Sequence, residues 1–299
     1  MIKIIDLHFQ GHAGTIAAFL IETGAGPALV ETGPHSTLPV LLEGLKQAGY
    51  RPEDVRHIFL THIHIDHGGA AWYFAQLGAT VYLHPLGAPH FQNPEKLLTS
   101  ARRIYGEEMD RLWGDLKPIA PERLRTVKHQ GRVSIGDLTF CALHTPGHAV
   151  HHIAWQLSKV LFTGDVAGIS IGDKGMVMPP CPPPDIHIED WLRSIEMIND
   201  RRFKALYLTH FGMVTDVKNH LVQLEGRLMN WANWMKPFYK HGVPHEEVVP
   251  LFQAYVRKQL EASGISGEDL IRYENANPSW MSVAGLMRYW KKKEEGMDK

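Results

Sequence analysis

Four times before residue 211, a short apolar, strand-like stretch of this chain runs out onto histidine or aspartate close to glycine. The first is I-F-L-T-H-I-H-I-D-H-G-G at 58–69. The others are L-H-T-P-G-H after 138–143, V-L-F-T-G-D after 160–163 and A-L-Y-L-T-H-F-G after 205–208. Glycine at such a junction lets the backbone turn sharply and bring a side chain close to an ion. If these side chains share a metal site, the strand ends that carry them would converge along one edge of the fold.

The first stretch says most. With 58–65 read as a strand, His62 and His64 share a face, because alternate residues do, and two imidazoles can then reach one ion. The H-G-G that follows should break the strand and free Asp66 and His67 to turn toward a second, adjacent ion. The chain has 19 histidines, so some clustering arises by chance. Three imidazoles and a carboxylate within six residues are nevertheless poorly explained by packing, since burying them without partners costs several kcal/mol. His148, Asp165 and His210, one from each later stretch, bring the set to five His and two Asp. Alone, each of these three would be an ordinary polar residue at a strand end.

In this order, H-x-H-x-D-H, T-P-G-H, G-D and a terminal T-H resemble the metal motifs of the metallo-β-lactamase fold superfamily over roughly residues 1–215. The resemblance implies an α/β fold, the αββα four-layer sandwich. It also implies a ligand assignment: His62, His64 and His148 on a first metal, Asp66, His67 and His210 on a second, and Asp165 bridging them. One motif departs. The family usually has an acidic D-T-G on an early strand, whereas V-E-T-G here supplies Glu31, whose support of the ligands becomes a question for the structure. Zinc β-lactamases carry Cys at the position of Asp165, so the chain is not expected to be one of them. Flavodiiron proteins have Glu at the position of His64 and an appended flavin domain. Lactone-cleaving members typically have Tyr three residues after the bridging Asp, where Gly168 stands here. The glyoxalase II type, a glutathione thioesterase branch, is similar through the metal motifs, although its glutathione-holding signatures are not found.

Strands are expected near 2–9, 15–22, 27–31, 56–62 and 80–83, with helices near 37–49 and 68–77. A second block follows at 132–135, 138–143, 151–157 and 160–163, then a helix near 189–199 and a strand at 204–209. Two strand blocks closed by helices also suggest two packed sheets with helices outside. Residues 1–215 would form the catalytic domain and 216–299 a C-terminal helical cap or dimerisation extension. The latter reads as four helices rich in aromatics, expected as core or dimer contacts, or as part of an apolar pocket over the metals. Residues 86–125 are longer than a simple connection needs and could form a lid. His84, His144, His151 and His152 are expected at the surface or behind the ligands. His151 and His152 cannot both face the metals if 151–157 is a strand.

At 299 residues and 44% apolar, the chain can bury a large core. Its formal charge of −1, without a Lys/Arg stripe, gives no reason to expect nucleic acid or membrane as partner. The superfamily's nucleases also carry an inserted domain or an extruded arm. Lys291–Lys293 read as a solvated helix end. No stretch approaches the length of a membrane span, and the N-terminus lacks a long apolar leader, so the cytoplasm is the expected location. Cys141 and Cys181 are read as inert thiols rather than ligands or a disulfide framework.

The expected chemistry is hydrolysis by a hydroxide bridging two divalent ions roughly 3.5–4 Å apart. Zinc is the first choice, with iron or manganese also suited to a His/Asp set. Asp66 would orient the nucleophile or take its proton, without a Ser or Cys covalent intermediate. Small esters, thioesters and lactones, with good leaving groups, are favoured over amides. The alternatives are a mononuclear iron enzyme resembling persulfide dioxygenases, a phosphodiesterase, and a non-catalytic binding protein, against which the full ligand set argues.

Overall fold

The computed structural model describes residues 1–172 and 175–296. Two six-stranded sheets form its centre. The first holds, in spatial order, β1 (Ile2–Asp6), β2 (Ala17–Thr23), β3 (Gly26–Val30), β4 (His57–Phe59), β5 (Thr80–Leu83) and β6 (Leu124–Thr126). β1 to β3 pair antiparallel, and β3 to β6 run parallel to one another. The second sheet holds β7 (Arg132–Ile135), β8 (Leu138–His144), β9 (Ile153–Leu157), β10 (Val160–Gly164), β11 (Ala205–Leu208) and β12 (Gly212–Val214). In this sheet only the β10–β11 pair is parallel.

Alternation along the strands explains the layering, because successive side chains leave a strand on opposite faces. In β2, Phe19 and Ile21 point to the other sheet while Ala18 and Leu20 pack outward under helices. β9 and β10 repeat this: Ile153, Trp155, Leu157 and Phe162 face inward, whereas Ala154 and Leu161 face the outer helices. The inter-sheet layer is aromatic, with Phe59 stacked on Phe140 at 4.1 Å between centroids and Phe19 5.3 Å from Phe162. Strands buried on both faces read as nearly continuous apolar runs, as these do.

Helices cover both outer faces. On the first sheet lie α1 (Leu38–Gln47), α2 (Ile65–Gly68) and α3 (Ala71–Gln76), followed by α4 (Ala88–Gln92), α5 (Glu95–Tyr105) and α6 (Met109–Trp113) of the long 86–125 connection. On the second lie α7 (Ile188–Asp200), α8 (Val217–Lys240), α9 (His245–Ala262), α10 (Glu268–Ala276) and α11 (Ser279–Glu294). This is the αββα sandwich, with its C-terminal helices sharing one apolar core with α7 and the second sheet. Trp231 and Trp234 pack on Phe252 of α9 at 4.9 and 5.3 Å. No helix among the described residues is long and apolar enough to cross a membrane.

The strand expected over 58–65 is shorter. β4 ends at Phe59, and Thr61–His64 form a connecting loop. The start of this loop is pinned by β9 of the second sheet: the Trp155 indole N–H donates to Leu60 O (2.9 Å), and the Ile153 N–H donates to Thr61 O (2.7 Å). Likewise β1 ends at Asp6 rather than residue 9, with Phe9 in a short 3₁₀ turn.

Candidate metal centre

Each predicted ligand sits where a strand of the sandwich gives way to a loop. His62 and His64 follow β4, and Asp66 and His67 lie in α2 immediately beyond. His148 follows β8, Asp165 follows β10 directly, and His210 follows β11. The structure brings all seven together at one end of the sheets. His62, His64, His148 and Asp165 present ligand atoms within 4.8 Å of one another, and Asp66, His67 and His210 form a second such group.

Asp165 stands between the two. Its Oδ2 is 3.2 Å from His148 Nε2, and its Oδ1 is 3.2 Å from His67 Nε2 and 3.5 Å from His210 Nε2. Asp66 Oδ2 approaches His210 Nε2 at 3.4 Å and His67 Nε2 at 3.7 Å. The sharp turn at Asp165 requires Gly164. It has φ +50°, and a Cβ there would stand 2.4 Å from Thr61 Oγ1.

The rings are aimed by hydrogen bonds at their far nitrogens. His148 Nδ1–H donates to Pro180 O (2.9 Å) and His210 Nδ1–H to Thr15 O (2.8 Å). A carbonyl only accepts, so each Nε2 is left with its lone pair toward the centre. His62 Nδ1 is paired with the Thr61 hydroxyl at 2.9 Å. Glu31 is fully buried, with φ +64°. Its Oε1 accepts the Thr61 N–H (3.0 Å), and its Oε2 lies 3.3 Å from His67 Nδ1, at ion-pair distance without hydrogen-bond alignment. The glutamate therefore reaches both the loop and a ligand, which answers the question its sequence position raised.

Burial lowers the basicity of His62, His64 and His148, His64 to about 3. His67 behaves oppositely. Burial alone would lower it, but Asp165, Asp66 and Glu31 around it hold it well above the usual histidine range. His210 is likewise raised, Asp165 and Asp66 outweighing burial. Burial would raise Asp66, yet His67 and His210 bring it down to about 2, and the surrounding imidazoles keep Asp165 ionised as well.

These residues fit a cation. His62 Nε2 and His148 Nε2 both point at His64 Nδ1, at 2.8 and 3.0 Å, and one ring atom cannot hydrogen-bond two inward lone pairs. His67 Nε2 and Asp165 Oδ1 are buried without hydrogen-bond partners among the described residues. Unpaired buried groups of this kind are costly unless a metal ion satisfies them. The donor set, imidazole nitrogen and carboxylate oxygen, suits zinc, iron or manganese.

Sequence reasoning placed His152 behind the ligands without a role. Its Nε2 accepts the Asp165 N–H (3.2 Å) and its Nδ1–H donates to Thr145 Oγ1 (2.8 Å), so it holds the Asp165 backbone. β9 begins only at Ile153, and so the rings of both His151 and His152 approach His62, at 6.2 and 5.0 Å between centroids. The adjacent H-H pair was the available signal. His84 and His144 stack on each other at 4.3 Å.

A cavity of about 570 Å³ opens onto the centre, lined by His64, Asp66, Asp165 and His210. Its remaining wall is mainly apolar and includes Ile104, Tyr105 and Trp113 of α5 and α6, Pro180 and Pro182–Pro184, and Pro278 with Met281 near the C-terminus, besides Phe9, Ile16 and Val150. Cys181 lies behind this wall, where burial pushes its thiol pKa up, as suits an inert group.

The sequence model of the metallo-beta-lactamase superfamily matches residues 13–210, which span every ligand candidate. The chain belongs to this superfamily. Members of this superfamily are typically metallohydrolases, and the His/Asp cluster here could hold metal ions. A metallo-beta-lactamase fold-containing protein of Sulfurisphaera tokodaii is 29% identical over 56% of this chain and 66% of its own length. An N-acyl homoserine lactonase of Bacillus cereus is 36% identical over 17% of this chain and 30% of its own. The chain thus matches just under two thirds of the first relative and under one third of the second. A metallo-beta-lactamase family protein of Thermus thermophilus shares the fold with a TM-score of 0.69 and 20% identity, over 99% of this chain and 94% of that one.

Proposed function

We propose that this enzyme hydrolyses a small ester, thioester or lactone using two divalent metal ions, zinc first among them. The observation that carries this is the position of Asp165, with one carboxylate oxygen toward each ligand group. His62, His64 and His148 would hold one ion, Asp66, His67 and His210 the other, and Asp165 both. Bound there, the ions would supply Lewis acidity and bring the pKa of water toward neutrality.

The chain's own residues do the rest. Asp66 is ionised and lines the cavity, so its carboxylate can orient the attacking water and accept a proton at the oxygen not facing His210. The apolar wall excludes bulk water and fixes the substrate body against the centre. Esters, thioesters and lactones have leaving groups that need little acid assistance, and no acid other than the returning Asp66 proton is required. The intact second group favours this reading over a mononuclear iron dioxygenase.

The stretch shared with the Bacillus cereus lactonase supports including lactones. Gly168 weighs against an acyl homoserine lactone: it has φ +73°, a Cβ would stand 2.7 Å from Met178 O, and no tyrosine can be placed there. A panel of thioesters, esters, lactones and phosphodiesters, assayed on wild type and Asp66→Ala, tests the proposal. Loss of roughly 100-fold or more in kcat on the preferred substrate is expected in the variant. Equal rates would contradict the mechanism.

A further inference from the structure

One polar pair in the cavity wall takes no part in holding the metal centre. His151 is 5% exposed, and neither of its ring nitrogens has a hydrogen-bond partner among the described residues. Its Nδ1 is sealed from solvent, whereas Nε2 points toward Asp185 Oδ2 at 3.9 Å, too far for a hydrogen bond. Both residues line the cavity. Buried polar groups are normally satisfied, and a neutral imidazole facing a carboxylate across such a gap is an incomplete site. Burial keeps this ring neutral, with its pKa down to about 2, and the facing carboxylate favours the proton on Nε2.

The gap has the dimensions of a single oxygen. An atom about 2.8 Å from each side closes it at close to a right angle, which suits a hydroxyl accepting from His151 Nε2–H and donating to Asp185. A trans amide fits worse, because its C=O and N–H point in opposite directions. The His151 ring lies 6.2 Å from the His64 ring, between centroids. The pair thus stands close to the metal centre, and a hydroxyl held by it would belong to a carbon near the substrate's carbonyl. The surrounding wall, with Ile63, Leu97, Ile104 and Met281, suits an apolar chain.

We propose that His151 and Asp185 form a specificity subsite for a hydroxyl on the substrate's acyl chain close to the carbonyl, so that the preferred substrates are 2- or 3-hydroxyacyl esters or thioesters with an apolar tail. This deepens the hydrolase reading and rests on it for the reaction, though not for the binding.

Binding of the free acids decides it without requiring turnover. Decanoate, 2-hydroxydecanoate and 3-hydroxydecanoate are titrated calorimetrically into the metal-loaded protein and into the Asp185→Ala and His151→Phe variants. Wild type should bind at least one of the two hydroxy acids about tenfold more tightly than decanoate, the value of one well-placed hydrogen-bond pair. The preference should shrink to within about twofold in both variants. Equal affinities for all three acids in wild type, no binding of any acid, or a preference surviving in Asp185→Ala would each overturn the proposal. Asp185 is partly exposed on a loop, so that variant decides the matter if His151→Phe fails to fold. Hydrolysis of the matching acyl thioesters is measured alongside. A protein that discriminates the acids but cleaves neither thioester keeps the subsite and loses the hydrolase reading.

Discussion

At the scale of single residues, Glu31 shows how a departure from the usual family pattern can be accommodated. The longer side chain, set on a left-handed backbone, spans from the Thr61 N–H to His67 Nδ1. Glu31→Gln keeps the acceptor for Thr61 but removes the charge beside His67. Outer partners of metal-bound histidines typically contribute 10- to 100-fold in metal affinity, so a loss of about that size is expected for the Asp66, His67, His210 group. Metal titration followed by competition with a chelator measures it, and two unchanged affinities would contradict the role given to Glu31. The seven ligand candidates were legible in sequence because ordinary packing does not place clustered imidazoles and carboxylates beside glycine at strand ends. His152 was not, because its function depends on meeting the Asp165 N–H across the sheet. The His151–Asp185 pair likewise forms only where two loops distant in sequence meet.

Among the elements, the junctions between strand and loop carry the site, and the inter-sheet core fixes the junctions. The alternation predicted most strands of both sheets. It overran at residues 60–65, where the apolar pattern I-F-L-T-H-I-H-I continues after the ladder has ended at Phe59. Periodicity reports burial, and these residues stay largely buried against the second sheet without belonging to a strand. Gly164 couples the two strand ends. In Gly164→Ala a Cβ would meet both Thr61 Oγ1 and His152 Nε2, at 2.4 and 2.7 Å, on a backbone that L residues rarely adopt. A destabilisation of about 1–3 kcal/mol is expected, together with loss of bound metal. Thermal unfolding and metal content check this; a variant with wild-type Tm and full metal would show that the turn tolerates a side chain.

For the whole molecule, the sandwich and its four C-terminal helices were readable from block order and periodicity, whereas the cavity was not. Its wall joins the 86–125 connection, the proline-rich loop at 180–184 and residues 275–281, segments brought together only by the tertiary fold. The metal centre forms the floor of this cavity and the apolar segments its sides, so catalysis and substrate choice reside in different parts of the chain. Everything proposed for the reaction depends on Asp165 joining two cation sites. The direct test is the metal content, by elemental analysis, of wild type and Asp165→Ala purified without chelators or added metal. About two ions per chain are expected in wild type, with loss of at least one in the variant. Less than one ion per wild-type chain, or an unchanged content after Asp165→Ala, would contradict the dinuclear reading.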